Sequence, residues 1–135
     1  NKSLIDFGSG SGILSIVSKL NGAAEVVGAE IDQQAINNAV HNCQLNSIHI
    51  PFVNIKKTTI TRKFDIIIAN MLSRTLIELS NVFKNLANEK LILCGILDKQ
   101  VSDVIDAYSK WIILDKRKSL NGWNLLEGIL KFRKI

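Results

Sequence analysis

Proline, cysteine, aromatic residues and long apolar runs are all scarce in this sequence. Its 135 residues include one proline, two cysteines and 6% aromatic residues. No apolar run approaches the roughly 20 residues that span a bilayer, so no transmembrane helix is predicted. Cys43 and Cys94 are too few for a disulfide framework and lack metal-ligand spacing, which favours a reduced, cytoplasmic protein without a metal site. The hydrophobic fraction of 47% excludes a disordered chain.

The chain has the length of one domain, and we interpret residues 1–135 as a single domain. It opens at Asn1 without an initiator methionine, and an apolar segment begins at Ser3. A natural domain seldom begins so abruptly. We therefore expect the sequence to be the C-terminal part of a longer protein.

Charge is distributed unevenly along the chain. Residues 1–55 carry two basic and four acidic side chains (net −2), whereas residues 56–135 carry fifteen basic and eight acidic ones (net +7). The basic side chains of the second part cluster at 56–57, 62–63, 116–118 and 131–134. Such a surface suits contact with a ribosome or RNA, although solvated faces are the simpler interpretation.

Strand-like and helix-like segments alternate over the first 108 residues, which predicts a mostly parallel sheet covered by helices. Asp32 and Asp98 are predicted N-caps of two of the helices. The predicted strands are Ser3–Phe7, Glu25–Ile31, Ile48–Asn54, Phe64–Asn70 and Lys90–Gly95. Three helices are predicted to begin after Gly12, Asp32 and Asp98, and another is predicted over Ser73–Leu86. The predicted apolar faces include Val40 and Val82.

The alternation stops near the C-terminus. Trp111–Leu120 and 124–133 are both strand-like, and Asn121-Gly122 between them is a strong hairpin signal because both residues tolerate positive φ. We expect the two tryptophans to pack under this hairpin. The predicted fold class is therefore α/β, a doubly wound, Rossmann-like sheet that is mostly parallel and ends in an antiparallel hairpin.

A glycine-rich segment follows the first predicted strand. Gly8, Gly10 and Gly12 allow a sharp turn and a close approach to a ligand, with a helix N-terminus directly behind. The dinucleotide pattern G-x-G-x-x-G/A fails narrowly, because Ser15 occupies its last position when counted from Gly10. Asp6 disfavours an anion such as pyrophosphate and favours a ligand with an ammonium or sulfonium group. The alternative is a turn that binds nothing.

A carboxylate ends the second predicted strand. Glu30 follows Gly8 by twenty-two residues and is placed to accept hydrogen bonds from both hydroxyls of a ribose. Asp32 is more simply explained as a helix cap.

These segments resemble a known family. LIDFGSGSGILSI and VVGAEID are similar to the first two motifs of class I S-adenosylmethionine-dependent methyltransferases. FDIIIANMLSRTLIEL, LILCGILDKQVSDVIDAY and NGWNLLEGILKFRK resemble, in that order, the bacterial family that methylates protein eleven of the large ribosomal subunit. The resemblance covers essentially all 135 residues.

The resemblance implies a site for S-adenosylmethionine and a ribosomal protein as substrate. The residues expected to bind the cofactor are Asp6, Gly8, Gly10, Gly12, Glu30, Ile31, Asn54 and Asn70. Glu30 stands where the family usually has Asp, and Asn54 stands where related enzymes often have Asp near the adenine amino group. Ser9 replaces a frequent Cys, an exchange expected to be neutral. The family's N-terminal substrate-recruiting domain is absent from this sequence.

Asn70 is the expected catalytic residue, since the resemblance places it where the methyl group meets its acceptor. A neutral amide can accept hydrogen bonds from an amine and direct its lone pair at the methyl group. Met71-Leu72 follow it instead of the Pro-Pro-aromatic of related amino-methyltransferases, so that wider likeness is partial. A strand-end cap is the structural alternative for Asn70.

Three functions remain open at this point. The leading one is an enzyme that methylates amino groups, on lysine or the N-terminal amine, of a ribosomal protein in the cytoplasm. The second is an RNA or small-molecule methyltransferase on the same cofactor domain, which the basic second half would suit. The third is a truncated domain that folds but does not catalyse.

Overall fold

The computed structural model describes residues 1–130, which belong to two compact units. The first unit is residues 1–62, and the second begins at Lys63. Within the described residues no helix is long and apolar enough to cross a membrane.

The first unit is a parallel sheet of three strands with two helices. The strands lie in the order β3-β2-β1, and the pairing aligns Asp6, Gly28 and Phe52 across them. Ile5, Ala29 and Ala39 are completely buried. The elements are β1 (Ser3–Phe7), α1 (Ile13–Leu20), β2 (Glu25–Glu30), α2 (Gln33–Leu45) and β3 (Phe52–Asn54).

Two sequence predictions fail in this unit. Strand β3 covers only the last three residues of the predicted Ile48–Asn54, because Pro51 has no N–H for a strand ladder and offers only its carbonyl, which accepts from Gly28 N–H (3.0 Å). Val40 of α2 is exposed, so the apolar face of the helix is narrower than its sequence indicates. The Asp32 cap is confirmed, since its side chain accepts from the N–H of Gln34 (3.0 Å).

The second unit has four strands in the order β4-β5-β7-β6. Strands β4 and β5 are parallel, whereas β7 pairs antiparallel with both β5 and β6. The elements are β4 (Phe64–Asn70), α3 (Ser73–Glu78), α4 (Ser80–Leu86), β5 (Ala87–Leu97), a 3-10 turn (Asp98–Gln100), α5 (Val101–Tyr108), β6 (Asp115–Leu120) and β7 (Trp123–Ile129).

The predicted helix Ser73–Leu86 is two helices that meet at Leu79. Ser80 explains the break: it is buried, donates its hydroxyl to the carbonyl of Ala107 (3.1 Å) and accepts from the indole of Trp111 (3.0 Å). Helix α4 therefore follows the position of α5, and Val82 is left exposed.

Asp98 is not the N-cap of α5, contrary to the sequence prediction. Its carboxylate accepts from the side-chain amide of Asn124 (2.9 Å), and the side chain of Gln100 accepts from Leu97 N–H (3.0 Å) instead. Because the Asp98 carboxylate is hydrogen-bonded to Asn124 of β7, it does not cap α5.

The hairpin is confirmed, with φ of 50° at Asn121 and 81° at Gly122. Strand β6 starts at Asp115, four residues later than predicted. Strand β7 ends at Ile129, so Leu130 lies beyond it, and residues 131–133 of the predicted strand lie outside the described residues. Trp123 is half-exposed, so the prediction that it packs under the hairpin is wrong.

Candidate functional site

The glycine-rich loop is held against the end of strand β2. Gly8, Gly10 and Gly12 have φ of 78°, 53° and 82°, which only glycine adopts without strain. The N–H groups of Gly8 and Ser9 both donate to the carbonyl of Ala29 (2.7 and 3.0 Å). A Cβ added to Gly10 would meet open space, so the middle of the loop leaves room for a ligand.

Asp6 lies under this loop and is buried, with 2% of its surface exposed. One oxygen, Oδ2, accepts from both the backbone N–H (3.1 Å) and the hydroxyl (2.7 Å) of Ser15 in α1. Burial raises the pKa of the Asp6 carboxyl, the two Ser15 bonds lower it, and the negative charge of Glu30 adds a small further rise.

Glu30 ends strand β2 with its carboxylate fixed by three backbone N–H groups. Gly10 donates to Oε1 (3.0 Å), while Ile31 and Asp32 donate to Oε2 (2.6 and 3.0 Å). A carboxylate oxygen accepts about two hydrogen bonds. Oε1 therefore keeps capacity for one further donor, and a second ligand hydroxyl would have to share Oε2.

Ile31 and Asn54 flank this carboxylate. The Ile31 side chain is 53% exposed and offers apolar surface on which a flat apolar group can lie. Asn54 pairs with Glu30 across the strands; its amide donates to Gln33 (3.1 Å), and its Oδ1 accepts from Lys56 N–H (3.0 Å). The Asn54 oxygen therefore has one acceptor position left.

Sequence reasoning missed Gly28 and Phe52, which pack against each other beside the glycine loop. A Cβ at Gly28 would come within 2.3 Å of the Phe52 ring, and one at Gly12 within 3.2 Å of it. A glycine inside an apolar strand marks a close approach of another group, and VVGAE carries that signal.

Asn70 ends strand β4 in the second unit and is exposed. Gly95 has φ of 84°, and a Cβ there would lie 2.9 Å from the Asn70 oxygen and 2.7 Å from the carbonyl oxygen of Met71. Within residues 1–130 no hydrogen bond engages the Asn70 side chain, which leaves both its oxygen and its NH₂ group available.

Asn70 lines an open pocket of about 470 Å³ in the second unit. Lys118 is the one charged side chain among the described residues of its lining, and Trp123 and Leu120 have much exposed apolar surface. Burial raises the pKa of the Cys94 thiol, so this side chain is a neutral part of the wall. The lining residues are Asn70, Cys94, Gly95, Lys118, Leu120, Trp123, Asn124 and Leu125.

The pocket wall formed by the hairpin is fixed by Asn124, which is 3% exposed. Its side-chain NH₂ donates to the carbonyl of Ile96 (3.1 Å) and to Asp98 (2.9 Å). Its Oδ1 is buried without a hydrogen-bond partner among the described residues. Sequence reasoning did not identify Asn124, Trp123 or Lys118 as part of a site.

The sequence-predicted residues thus fall into two groups. The first unit brings together the loop glycines, Asp6, Glu30, Ile31 and Asn54. Asn70 belongs to the pocket of the second unit.

Structural comparison shows the class of fold. Over 96% of this chain and 70% of the other, the structure is similar to the ribosomal protein L11 methylase from Lactobacillus delbrueckii subsp. bulgaricus, with a TM-score of 0.89 and 27% identity. It is similar in fold to magnesium protoporphyrin IX methyltransferase from Synechocystis, solved with bound SAM (TM-score 0.72, 18% identity, 95% and 69% covered). The chain has the α/β fold of class I methyltransferases, as predicted.

Sequence comparison narrows the class to one family. Residues 1–131 match the family described as Ribosomal protein L11 methyltransferase (PrmA). The Ribosomal protein L11 methyltransferase of Paraburkholderia phytofirmans is 36% identical over 129 residues, which are 94% of this chain and 43% of that protein. The chain belongs to the ribosomal protein L11 methyltransferase family, and it spans less than half the length of the curated relatives it matches.

Proposed function

We propose that this chain carries the methyl-transfer site of an enzyme that methylates amino groups of ribosomal protein L11, on a lysine, the N-terminal amine or both, with S-adenosylmethionine as donor. The observation that carries the proposal is the Glu30 carboxylate held against the glycine loop by Gly10 N–H, in a chain of which 131 residues match this family. We further propose, from the family resemblance, that the reaction takes place in the cytoplasm.

The residues of the first unit fit an adenosyl cofactor. Oε1 of Glu30 retains one acceptor position for a ribose hydroxyl, the exposed side chain of Ile31 suits one face of an adenine, and the Asn54 oxygen suits its amino group. Open space beside Gly10 admits a ligand close to the backbone. These contacts are the ones that the family resemblance leads us to propose, together with Gly8 and Gly12.

When bound, S-adenosylmethionine supplies an electrophilic methyl group on a sulfonium. The chain's own task is then to align the acceptor amine and to favour its neutral form, the proton of the ammonium ion being lost to water. We assign alignment to Asn70, whose unengaged oxygen accepts a hydrogen bond from the amine N–H and directs the nitrogen lone pair.

A lysine amine has a pKa of about 10.4 in water and must lose its proton before attack. The pocket around Asn70 favours the neutral amine, because Leu120, Trp123 and Leu125 provide apolar surface and Lys118 is a like charge. Among the described lining residues none is acidic, so the lining offers no carboxylate to stabilise an ammonium ion.

Contact of the second half with the ribosome or RNA is a further part of the proposal. Strand β6 is exposed along its whole length and carries Lys116, Arg117 and Lys118. Arg117 already contacts Asp115 and Glu127 (3.6 and 3.7 Å), so the two lysines contribute most of the available charge. Their role would be to steer a substrate that is bound to RNA.

Calorimetric titration with S-adenosylmethionine, S-adenosylhomocysteine and NAD tests the cofactor. We expect both sulfur ligands to bind and NAD not to bind, and Glu30→Ala to abolish binding. Glu25→Ala is the matched control, because Glu25 is an exposed carboxylate at the opposite end of β2 and should leave affinity unchanged. Binding of NAD alone would refute the proposal. If no ligand binds, the titration is repeated on a chain of the relatives' full length.

Transfer of labelled methyl groups to ribosomal protein L11 tests the acceptor site. Asn70→Ala should lower turnover by about a hundredfold and leave the affinity for S-adenosylhomocysteine unchanged. Labelling of RNA instead of protein would identify the other acceptor class.

A further inference from the structure

Helix α1 begins without a cap of its own. Its N-cap residue is Gly12, which has no side chain to accept a hydrogen bond from the first turn. The N–H of Ser15, the third residue of the helix, donates instead to Oδ2 of Asp6 (3.1 Å). A carboxylate from strand β1 thus performs the task that Ser, Thr, Asp or Asn performs at other helix starts.

The same oxygen accepts a second, shorter bond from the Ser15 hydroxyl (2.7 Å). Ser15 is completely buried, and Asp6 is nearly so. The carboxylate oxygen that makes both bonds is therefore satisfied by the chain itself. Ser15 stands at the position where the dinucleotide pattern has Gly or Ala, neither of which has a hydroxyl to donate.

This pair joins the two ends of the glycine loop. Asp6 precedes the loop on β1, and Ser15 follows it on α1, so the two bonds fix the distance that the loop must span. Between these ends, Gly8 N–H is held by Ala29 and Gly10 N–H by Glu30. A change in the position of α1 would move Gly10 away from the Glu30 carboxylate.

We propose that Asp6 is a positioning residue of the cofactor site, which holds Ser15 and the start of α1 and thereby the glycine loop, and does not contact the amino-acid part of the ligand. The inference rests on the proposed cofactor. It differs from the expectation drawn from the family resemblance, in which Asp6 binds the cofactor directly. The two roles predict different ligand dependence.

Two ligands separate the roles. S-adenosylhomocysteine carries the amino-acid group, whereas 5′-methylthioadenosine has the same adenosine and thioether without it. Calorimetric titration of both is made on the wild-type protein, Asp6→Asn, Asp6→Ala and Ser15→Ala. Asn keeps an oxygen that accepts both Ser15 bonds but removes the negative charge.

For a positioning role we expect Asp6→Asn to retain affinity for both ligands. Asp6→Ala and Ser15→Ala should weaken both ligands by the same factor, about three- to tenfold, with their affinity ratio unchanged. Ser18→Ala is the matched control, because Ser18 lies one turn later in α1 and makes a bond of equal length to the Leu14 carbonyl (2.7 Å). It should leave both affinities unchanged.

A selective loss of S-adenosylhomocysteine affinity in Asp6→Asn would overturn the proposal and establish direct contact. Thermal unfolding without ligand provides a readout that is independent of the cofactor. Asp6→Ala, Ser15→Ala and the double variant should show coupled effects, and purely additive effects would also overturn the proposal. If neither the wild type nor a chain of the relatives' full length binds either ligand but the coupling is present, the proposed cofactor is wrong and the positioning of α1 stands. If Asp6→Ala does not fold, Asp6→Asn and Ser15→Ala still separate the two roles.

Discussion

The two units treat their polar groups in opposite ways. In the first, Glu30 accepts three backbone hydrogen bonds and Asp6 accepts two before any ligand is considered. In the second, the Asn70 amide makes no hydrogen bond and Lys118 makes no ion pair within the described residues. The polar groups of the first site are positioned largely by the chain's own contacts, whereas the second site exposes to solvent polar groups that have no partner among the described residues.

This difference is consistent with the two partners of the proposed methyl transfer. A cofactor is the same in every turnover, so a rigid site costs little ordering entropy when it binds. A protein acceptor brings its own donors, acceptors and apolar surface, so a pocket with unengaged groups can adapt to it. The contrast therefore predicts that substitutions in the first unit mainly lower the stability of the fold. Substitutions in the pocket lining should mainly change how well the acceptor is bound.

The largest expected effect is that of Gly28→Ala, which tests the rigid support of the first site. The new Cβ would lie 2.3 and 2.5 Å from atoms of the Phe52 ring, so the ring must move. We expect a loss of about 3 kcal/mol in the free energy of unfolding, measured by urea denaturation. Gly22→Ala is the control: its φ is 97° and nothing lies within 4 Å, so it reports backbone strain alone, about 1 kcal/mol. Equal losses would show that the ring contact does not limit the site.

Asn124→Ala tests whether the hydrogen bonds of Asn124 hold the hairpin wall of the pocket in place. It removes the bonds that the side-chain NH₂ donates to Ile96, to Asp98 and, at 3.5 Å, to Gly122, and we expect a loss of about 2 kcal/mol in unfolding free energy. Asn88→Ala removes the same type of bond, an amide to Asp65 (3.1 Å), at an exposed position and should cost less than about 0.5 kcal/mol. A small effect of Asn124→Ala would mean that the hairpin wall is held by other contacts.

Much of the fold was predictable, because apolar periodicity and turn chemistry are local signals. Strand β4 was predicted at its exact bounds, and Asn121-Gly122 forms the expected turn. The failures have tertiary causes that no local pattern contains. Ser80 breaks a continuous apolar helix pattern by bonding to α5, and Asp98 bonds to a residue 26 positions later instead of capping its helix.

The candidate site was predictable where glycine spacing and strand ends define it. The close association of the loop with Glu30 follows from parallel strands whose carboxyl ends lie at one edge. The role of Asp6 was not readable, because its partner Ser15 looks like an ordinary small helix residue. Trp123 and Asn124 were also missed, since the pocket depends on which face of the hairpin each residue occupies.

Ser9→Ala tests the buried hydroxyl group of the glycine loop. The Ser9 hydroxyl is buried without a hydrogen-bond partner in the described residues, which is unfavourable for a polar group. We expect Ser9→Ala and Ser9→Cys to raise the free energy of unfolding by about 1 kcal/mol, so the exchange with the family's Cys is not neutral. Ser15→Ala should have the opposite sign, because the Ser15 hydroxyl is also buried but donates to Asp6. A loss of stability in Ser9→Ala would indicate a partner for the hydroxyl.

The smallest expected effect is the pH dependence that Asp6 confers, because burial and the Ser15 bonds shift its pKa in opposite directions. Burial is the larger cause, so the folded-state pKa lies above the ordinary 3.8, and the folded chain binds this proton more tightly than the unfolded chain. The stabilising contribution is therefore complete below pH 3.8 and is lost as the pH rises through the raised pKa. Asp6→Asn lacks the titrating group, so we compare the free energies of unfolding of the wild type and this variant. The wild-type value minus the variant value should fall between pH 3.8 and the raised pKa of Asp6 and stay constant at higher pH. A difference that increases with pH would show that the Ser15 bonds outweigh burial, and the carboxylate would then stabilise the first site most when it is ionised.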